Sequence, residues 1–79
     1  MFRTLVKTDA IEVETDRVAV RYFELRTMRG ARRYSAEIAL GPDDRIILDD
    51  DSMTTLEARA ARLVPATLYS RLLSRAPAA

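Results

Sequence analysis

The densest group of side chains capable of chemistry in this chain is a short run of arginines. Arg26, Arg29, Arg32 and Arg33 fall within eight residues that contain no acid, and Tyr34 follows directly. Guanidinium groups neutralise phosphates and aromatic rings stack on bases, so this combination is typical of a strand-based binder of single-stranded nucleic acid. These five residues are the candidate nucleic-acid-binding residues.

The same residues also fit a simpler interpretation, in which the arginines lie on a solvated loop and pair with neighbouring acids. Tyr34 then belongs to the apolar face of its strand, together with Ile38. The formal net charge of +1 favours this interpretation, because dedicated nucleic-acid binders tend to be basic overall.

Adjacent carboxylates are a second chemical feature. Asp43 and Asp44 lie together, and three more aspartates occupy residues 49–51. Two aspartates can hold Mg²⁺ with waters, but aspartates in these positions also fit a turn and the start of a helix. The second interpretation needs no ligand, so we expect no metal and no cofactor.

Missing residue types exclude whole classes of catalysis. The chain has no His and no Cys, which removes the His-based triads, the thiolate nucleophiles and the usual zinc ligands. Its only glycines, Gly30 and Gly41, cannot form a glycine-rich phosphate loop. We therefore expect that the chain is not an enzyme.

The charges are sorted into blocks along the chain. Residues 9–16 carry four acids and no base, residues 17–33 carry six Arg against one Glu, and residues 34–51 carry six acids against one Arg. Such blocks predict either neighbouring elements that complement each other or a surface with separate basic and acidic regions. The pattern is compatible with both.

The size of the chain bounds its architecture and points to partners. Its 79 residues predict one small domain, which we assign to residues 1–75, with residues 76–79 as a flexible tail. Such a domain buries only about 60% of its unfolded surface and here has no disulfide, so we expect a homo-oligomer or a partner protein.

The longest uncharged run, residues 63–70, is too short to span a membrane. We expect no membrane contact and a cytoplasmic location.

The hydropathy pattern predicts strands first and a helix last. The fold class is α+β, an antiparallel meander of three to five strands followed by a C-terminal helix that is kinked or broken at Pro65. Residues 34–40 alternate most cleanly, and further strands are predicted over residues 11–14, 17–27 and 45–48, with an edge strand over 2–6. A bulge near Arg21 or Tyr22 would bring Phe23 and Leu25 to the inner face beside Val18 and Val20.

The predicted helix carries two apolar stripes. Ser52 is the expected N-cap, and a capping box over residues 54–57 is the alternative start, two residues later. The first stripe contains Leu56, Ala60, Leu63 and Thr67. Beyond Pro65 a second apolar stripe begins. If each residue turns by about 100°, this stripe is rotated around the helix axis by roughly a third of a turn relative to the first. This second stripe gives the candidate interface residues, which are Leu68, Tyr69, Leu72 and Leu73.

A strand meander followed by a helix resembles the architecture of the Pur-repeat single-stranded DNA-binding modules. That resemblance implies dimerisation through the helical region, and it assigns no residue of this chain. The leading hypothesis is a non-catalytic module for protein interaction or self-association, and the alternative is nucleic-acid binding through the arginine-rich hairpin.

Overall fold

The computed structural model of this chain describes residues 2–75, with side chains over residues 3–73. Its elements are β1 (Phe2–Val13), β2 (Asp16–Arg26), β3 (Arg32–Gly41), β4 (Asp44–Asp50) and α1 (Met53–Arg75). Each strand pairs antiparallel with the next, in the order β1-β2-β3-β4. The predicted α+β meander with a C-terminal helix is confirmed, and the predicted tail at 76–79 lies outside the described residues.

The helix covers one face of the sheet, which we call the inner face, and leaves the open face uncovered. Strand residues on the inner face alternate with residues on the open face, as the pleat requires. The buried cluster combines the inner face with one side of α1, and its members are Val18, Val20, Tyr22, Ala36, Ile38, Leu56, Ala60 and Val64. The core therefore lies between a single helix and a single sheet.

The position of the bulge differs from the prediction. One register shift lies in β1, between Leu5 and Lys7, and another lies in β3, between Ala39 and Gly41, whereas β2 pairs with β3 without interruption. Phe23 and Leu25 therefore stay on the open face, and the prediction that they join Val18 and Val20 is wrong. Phe23 is nevertheless buried, because the Arg3 guanidinium lies 3.7 Å from the centroid of its ring and covers it.

The helix begins where the sequence predicts. Ser52 is the N-cap, since its Oγ accepts a hydrogen bond from the Thr55 N–H at 3.3 Å. The break predicted at Pro65 is wrong, because α1 continues through that residue to Arg75 as one helix. A kink there stays a prediction. Val64, next to the proline, is 1% exposed and belongs to the core, while Leu63 is only half-buried.

The molecule is elongated and its two ends differ. Its extents are 54 × 19 × 19 Å, and its radius of gyration of 14.4 Å exceeds the value of about 12 Å expected for a compact chain of this length. In a meander the first and third turns lie at one end, which we call the turn end. The loop between β2 and β3, residues 27–31, lies at the other end, and we call it the hairpin tip.

Candidate functional site

The hairpin tip is closed by hydrogen bonds between its own residues. The Gly30 N–H donates to the Thr27 carbonyl at 2.9 Å, and the Thr27 N–H donates to the Ala31 carbonyl at 3.0 Å. The Ala31 N–H also donates to Thr27 Oγ1 at 3.1 Å. Gly30 has a φ of 81°, the left-handed conformation that glycine adopts readily at the end of a tight turn. This bonding holds Met28 at the apex, where it is 100% exposed.

The arginines around the tip differ in their surroundings. Arg26 and Arg32 share a single carboxylate, with each Nε at 3.6 and 3.7 Å from Glu24 Oε1. Arg29 is exposed and forms no ion pair with any side chain that the structure describes. Three arginines against one glutamate leave the tip with a surplus of two positive charges.

The other two candidate nucleic-acid-binding residues point elsewhere. Arg33 lies on the open face and pairs with Asp49 at 3.3 Å. Tyr34 lies on the inner face and packs against the buried core. The structure therefore gathers Arg26, Arg29 and Arg32 at the tip, and directs Arg33 and Tyr34 to opposite faces of the sheet.

The candidate interface residues lie near the turn end, on the last turns of α1. Leu68 is partly buried against the core, whereas Tyr69, Leu72 and Leu73 are 65%, 66% and 59% exposed. A groove of about 360 Å³ separates this part of the helix from the turns of the sheet. Its apolar lining consists of Val13, Leu40, Pro65, Leu68, Tyr69 and Leu72.

The rim of the groove is polar and mostly acidic. Arg71 donates from Nη2 to Asp44 Oδ1 at 2.8 Å, while its Nε is buried and has no hydrogen-bond partner among the described protein atoms. Glu14 and Asp16, also on the rim, are exposed and form no ion pair with the described side chains. Glu14 has a φ of 55°, a conformation that costs an L-residue about 1–2 kcal/mol.

A cluster of three arginines around one carboxylate occupies the open face. Glu37 has a side chain that is 7% exposed, and it pairs with Arg21, with Arg3 at 2.9 Å and with Arg45 at 3.4 Å. Hydrogen bonds from Arg21 and then Arg3 lower the pKa of Glu37 from 4.5 to about 2. The carboxylate is thus ionised at neutral pH, and the cluster carries two surplus positive charges.

Two of the three aspartates at residues 49–51 have structural partners, and Asp49 is the one that pairs with Arg33. Asp50 accepts from the Ser52 N–H at 3.0 Å and pairs with Arg59 at 3.0 Å. The hydrogen bond from the Ser52 backbone is the main cause that lowers the pKa of Asp50, and the Arg59 guanidinium adds to it. Among the described residues, no three His, Cys, Asp or Glu side chains converge as a group that could hold a metal.

Several of these features were missed by sequence reasoning. The Glu37 cluster draws one residue from each strand, and the groove combines residues from β1, β2, β3, β4 and α1, so neither follows from spacing along the chain. Met28 did leave a signal, because it is an apolar residue at the start of the predicted hairpin loop, where polar residues are the rule.

Comparison of this chain with protein-family models, curated proteins and solved structures finds no match. In the part of the chain that the structure describes, no helix is both long and apolar enough to cross a membrane. The cytoplasmic location stays a prediction.

Proposed function

We propose that this chain is a non-catalytic protein-interaction module that assembles through the turn end of α1, with a second copy or a partner protein as its target. The observation that carries the proposal is the group of exposed apolar side chains Tyr69, Leu72 and Leu73 beside an apolar groove. Contiguous apolar surface of this kind typically marks an interaction site, and a single exposed apolar residue does not.

The energetics of a small domain support this proposal. A core enclosed by one helix and one sheet face leaves the last turns of α1 largely uncovered, so a partner would complete their burial. Full burial of a side chain such as Leu72 by a partner stabilises the assembly by about 1.5–3 kcal/mol. This amount is a large part of the free energy of unfolding of a domain this small. Tyr69 adds a ring with a polar tip, a residue type enriched at interfaces.

A single charge placed on this surface tests the proposal. Leu72→Glu should lower the solution mass of the assembly, measured by light scattering, because the carboxylate would have to be buried without a partner. Ala58→Glu, on an exposed position of the same helix, is the matched control and should leave the mass unchanged. Circular dichroism checks that both variants remain folded. An unchanged mass for a folded Leu72→Glu variant would contradict this contact surface.

A second candidate function is nucleic-acid binding through the hairpin tip. Its support is the surplus positive charge at Arg26, Arg29 and Arg32. Each phosphate contact should contribute about 0.7 to the log–log salt slope for a single strand. Fluorescence anisotropy with a labelled oligonucleotide, compared between wild type and Arg29→Glu/Arg32→Glu, tests it. Equal affinities for the two proteins would contradict this site.

A further inference from the structure

One end of the molecule carries a projection and the opposite end carries a groove. The hairpin tip projects Met28 with its whole side chain exposed, on a loop held by three hydrogen bonds. The opposite end carries a groove of about 360 Å³ with an apolar lining. A pre-organised projection loses little conformational entropy on docking, which favours its use as an anchor. The tip cannot reach the groove of its own chain, because the two lie at opposite ends of a 54 Å molecule.

The two ends are complementary in charge. At the tip, Arg29 has no ion-pair partner among the described side chains, and Arg26 and Arg32 share the one carboxylate of Glu24. At the groove, Glu14 and Asp16 are exposed on the rim, and they too form no ion pair with the described side chains. The C-terminal end of α1 lies in the same region, and the negative end of its dipole favours cations. Charges left unpaired at one end therefore match charges of opposite sign at the other.

We propose that the hairpin tip of one copy docks into the groove of a second copy, with Met28 between the apolar walls and Arg29 at Glu14 and Asp16. This inference rests on the proposed function and names its partner. The contact is heterologous, since the two copies contribute different surfaces, so every docked copy still presents one free tip and one free groove. Assembly then continues head to tail until the ends meet or the concentration limits it.

Mixing two variants that cannot self-associate on their own tests this geometry. A tip variant, Met28→Asp/Arg29→Glu, keeps its groove, and a groove variant, Leu68→Asp/Leu72→Glu, keeps its tip. Each alone should be monomeric by light scattering, and circular dichroism verifies that each is folded. Their equimolar mixture should give a heterodimer with twice the 8.9 kDa mass of the chain and no larger species, because only one productive contact exists. If the groove pair does not fold, Leu72→Glu alone takes its place.

Charge reversal tests the ion pairs at the same contact. Arg29→Glu and Glu14→Arg should each weaken self-association, measured by sedimentation equilibrium, by about two- to fivefold, as expected for an exposed charge pair. The two changes in one chain should restore part of the association that Arg29→Glu loses, because the reversed charges attract each other between copies while Asp16 repels the new acid. Arg62→Glu, on the exposed side of α1, is the control and should have no effect.

Three outcomes would overturn the inference. If the tip variant assembles like wild type while Leu72→Glu is monomeric, the proposed function stands and the head-to-tail contact is wrong. If both variants are monomeric and the mixture is too, the tip of one copy does not dock into the groove of another, and again only the inference fails. A wild-type protein that stays monomeric at every concentration overturns self-association and leaves a different protein as the partner of the module.

Discussion

Arg21 and Glu37 lie directly opposite each other on β2 and β3, and their side chains form an ion pair on the open face of the sheet. Arg3 from β1 and Arg45 from β4 converge on the same carboxylate. One residue from every strand therefore meets at a single point. This cluster ties the four strands together on the face that has no helix to cover it.

Replacing Glu37 with Gln should destabilise the fold at neutral pH, because three guanidinium groups lose their shared carboxylate. The pKa of Glu37 is lowered from 4.5 to about 2 in the folded protein, so its stabilising effect is fully present above pH 4.5. The effect should decline as the pH falls from 4.5 towards 2 and be absent below. Urea unfolding midpoints of both proteins at pH 7 and pH 3 measure this.

Glu12→Gln is the control for that experiment, since Glu12 is exposed and forms no ion pair with the described side chains. It should change the urea midpoint little at either pH. If the difference in urea midpoint between wild type and Glu37→Gln is the same at pH 3 as at pH 7, Glu37 does not stabilise the fold through its charge.

The N-cap of α1 gives a second prediction. Ser52→Ala removes the acceptor of the Thr55 N–H and should lower the free energy of unfolding by about 1 kcal/mol. For a domain of this size that corresponds to a fall in Tm of about 4–8 °C. Thermal melts should show little change for Thr54→Ala, because Thr54 is exposed and does not cap the helix. Equal melting temperatures for wild type and Ser52→Ala would mean that the cap contributes nothing.

Two isoleucines lie on opposite faces of the sheet. Ile38 is 0% exposed in the core, whereas Ile47 is 65% exposed on the open face of β4. Ile38→Val should cost about 0.5–1.5 kcal/mol through the lost methylene contacts. Ile47→Val should stay within about 0.5 kcal/mol of wild type. Chemical unfolding of both variants measures the difference, and equal costs would contradict the assignment of the two faces.

Backbone strain at Glu14 gives a prediction in which stability and assembly change in opposite directions. Glu14→Gly keeps the positive φ but removes its cost of about 1–2 kcal/mol, because glycine has no Cβ, and the freer unfolded chain offsets about 0.5–1 kcal/mol of that gain. The fold should therefore gain up to about 1.5 kcal/mol, while self-association weakens because the rim loses a carboxylate. Glu12→Gly, inside β1, should lose stability instead. A loss of stability in both glycine variants would rule out strain at this turn.

Much of the fold could be predicted from local patterns. Strict alternation over residues 34–40 predicted β3, and the serine and aspartates before Met53 predicted the start of α1. The four-stranded meander lies within the predicted range of three to five strands. These features depend on residues close in sequence, whose preferences act before any tertiary contact forms.

The errors came from contacts between distant residues. Phe23 and Leu25 were predicted on the inner face because apolar residues usually lie there. In the structure Arg3 covers Phe23 from the neighbouring strand, so the open face accommodates an aromatic ring without a bulge in β2. The α1 helix also continues through Pro65, because packing of Val64 and Leu68 against the sheet favours the helix despite the missing donor.

Self-association is tested most directly by the solution mass of the wild-type chain, measured by light scattering across a wide range of concentrations. The mass should exceed 8.9 kDa and rise with concentration. High salt should weaken the assembly without abolishing it, since apolar contacts and ion pairs both contribute. A mass that stays at 8.9 kDa at all concentrations, in low and in high salt, would contradict self-association.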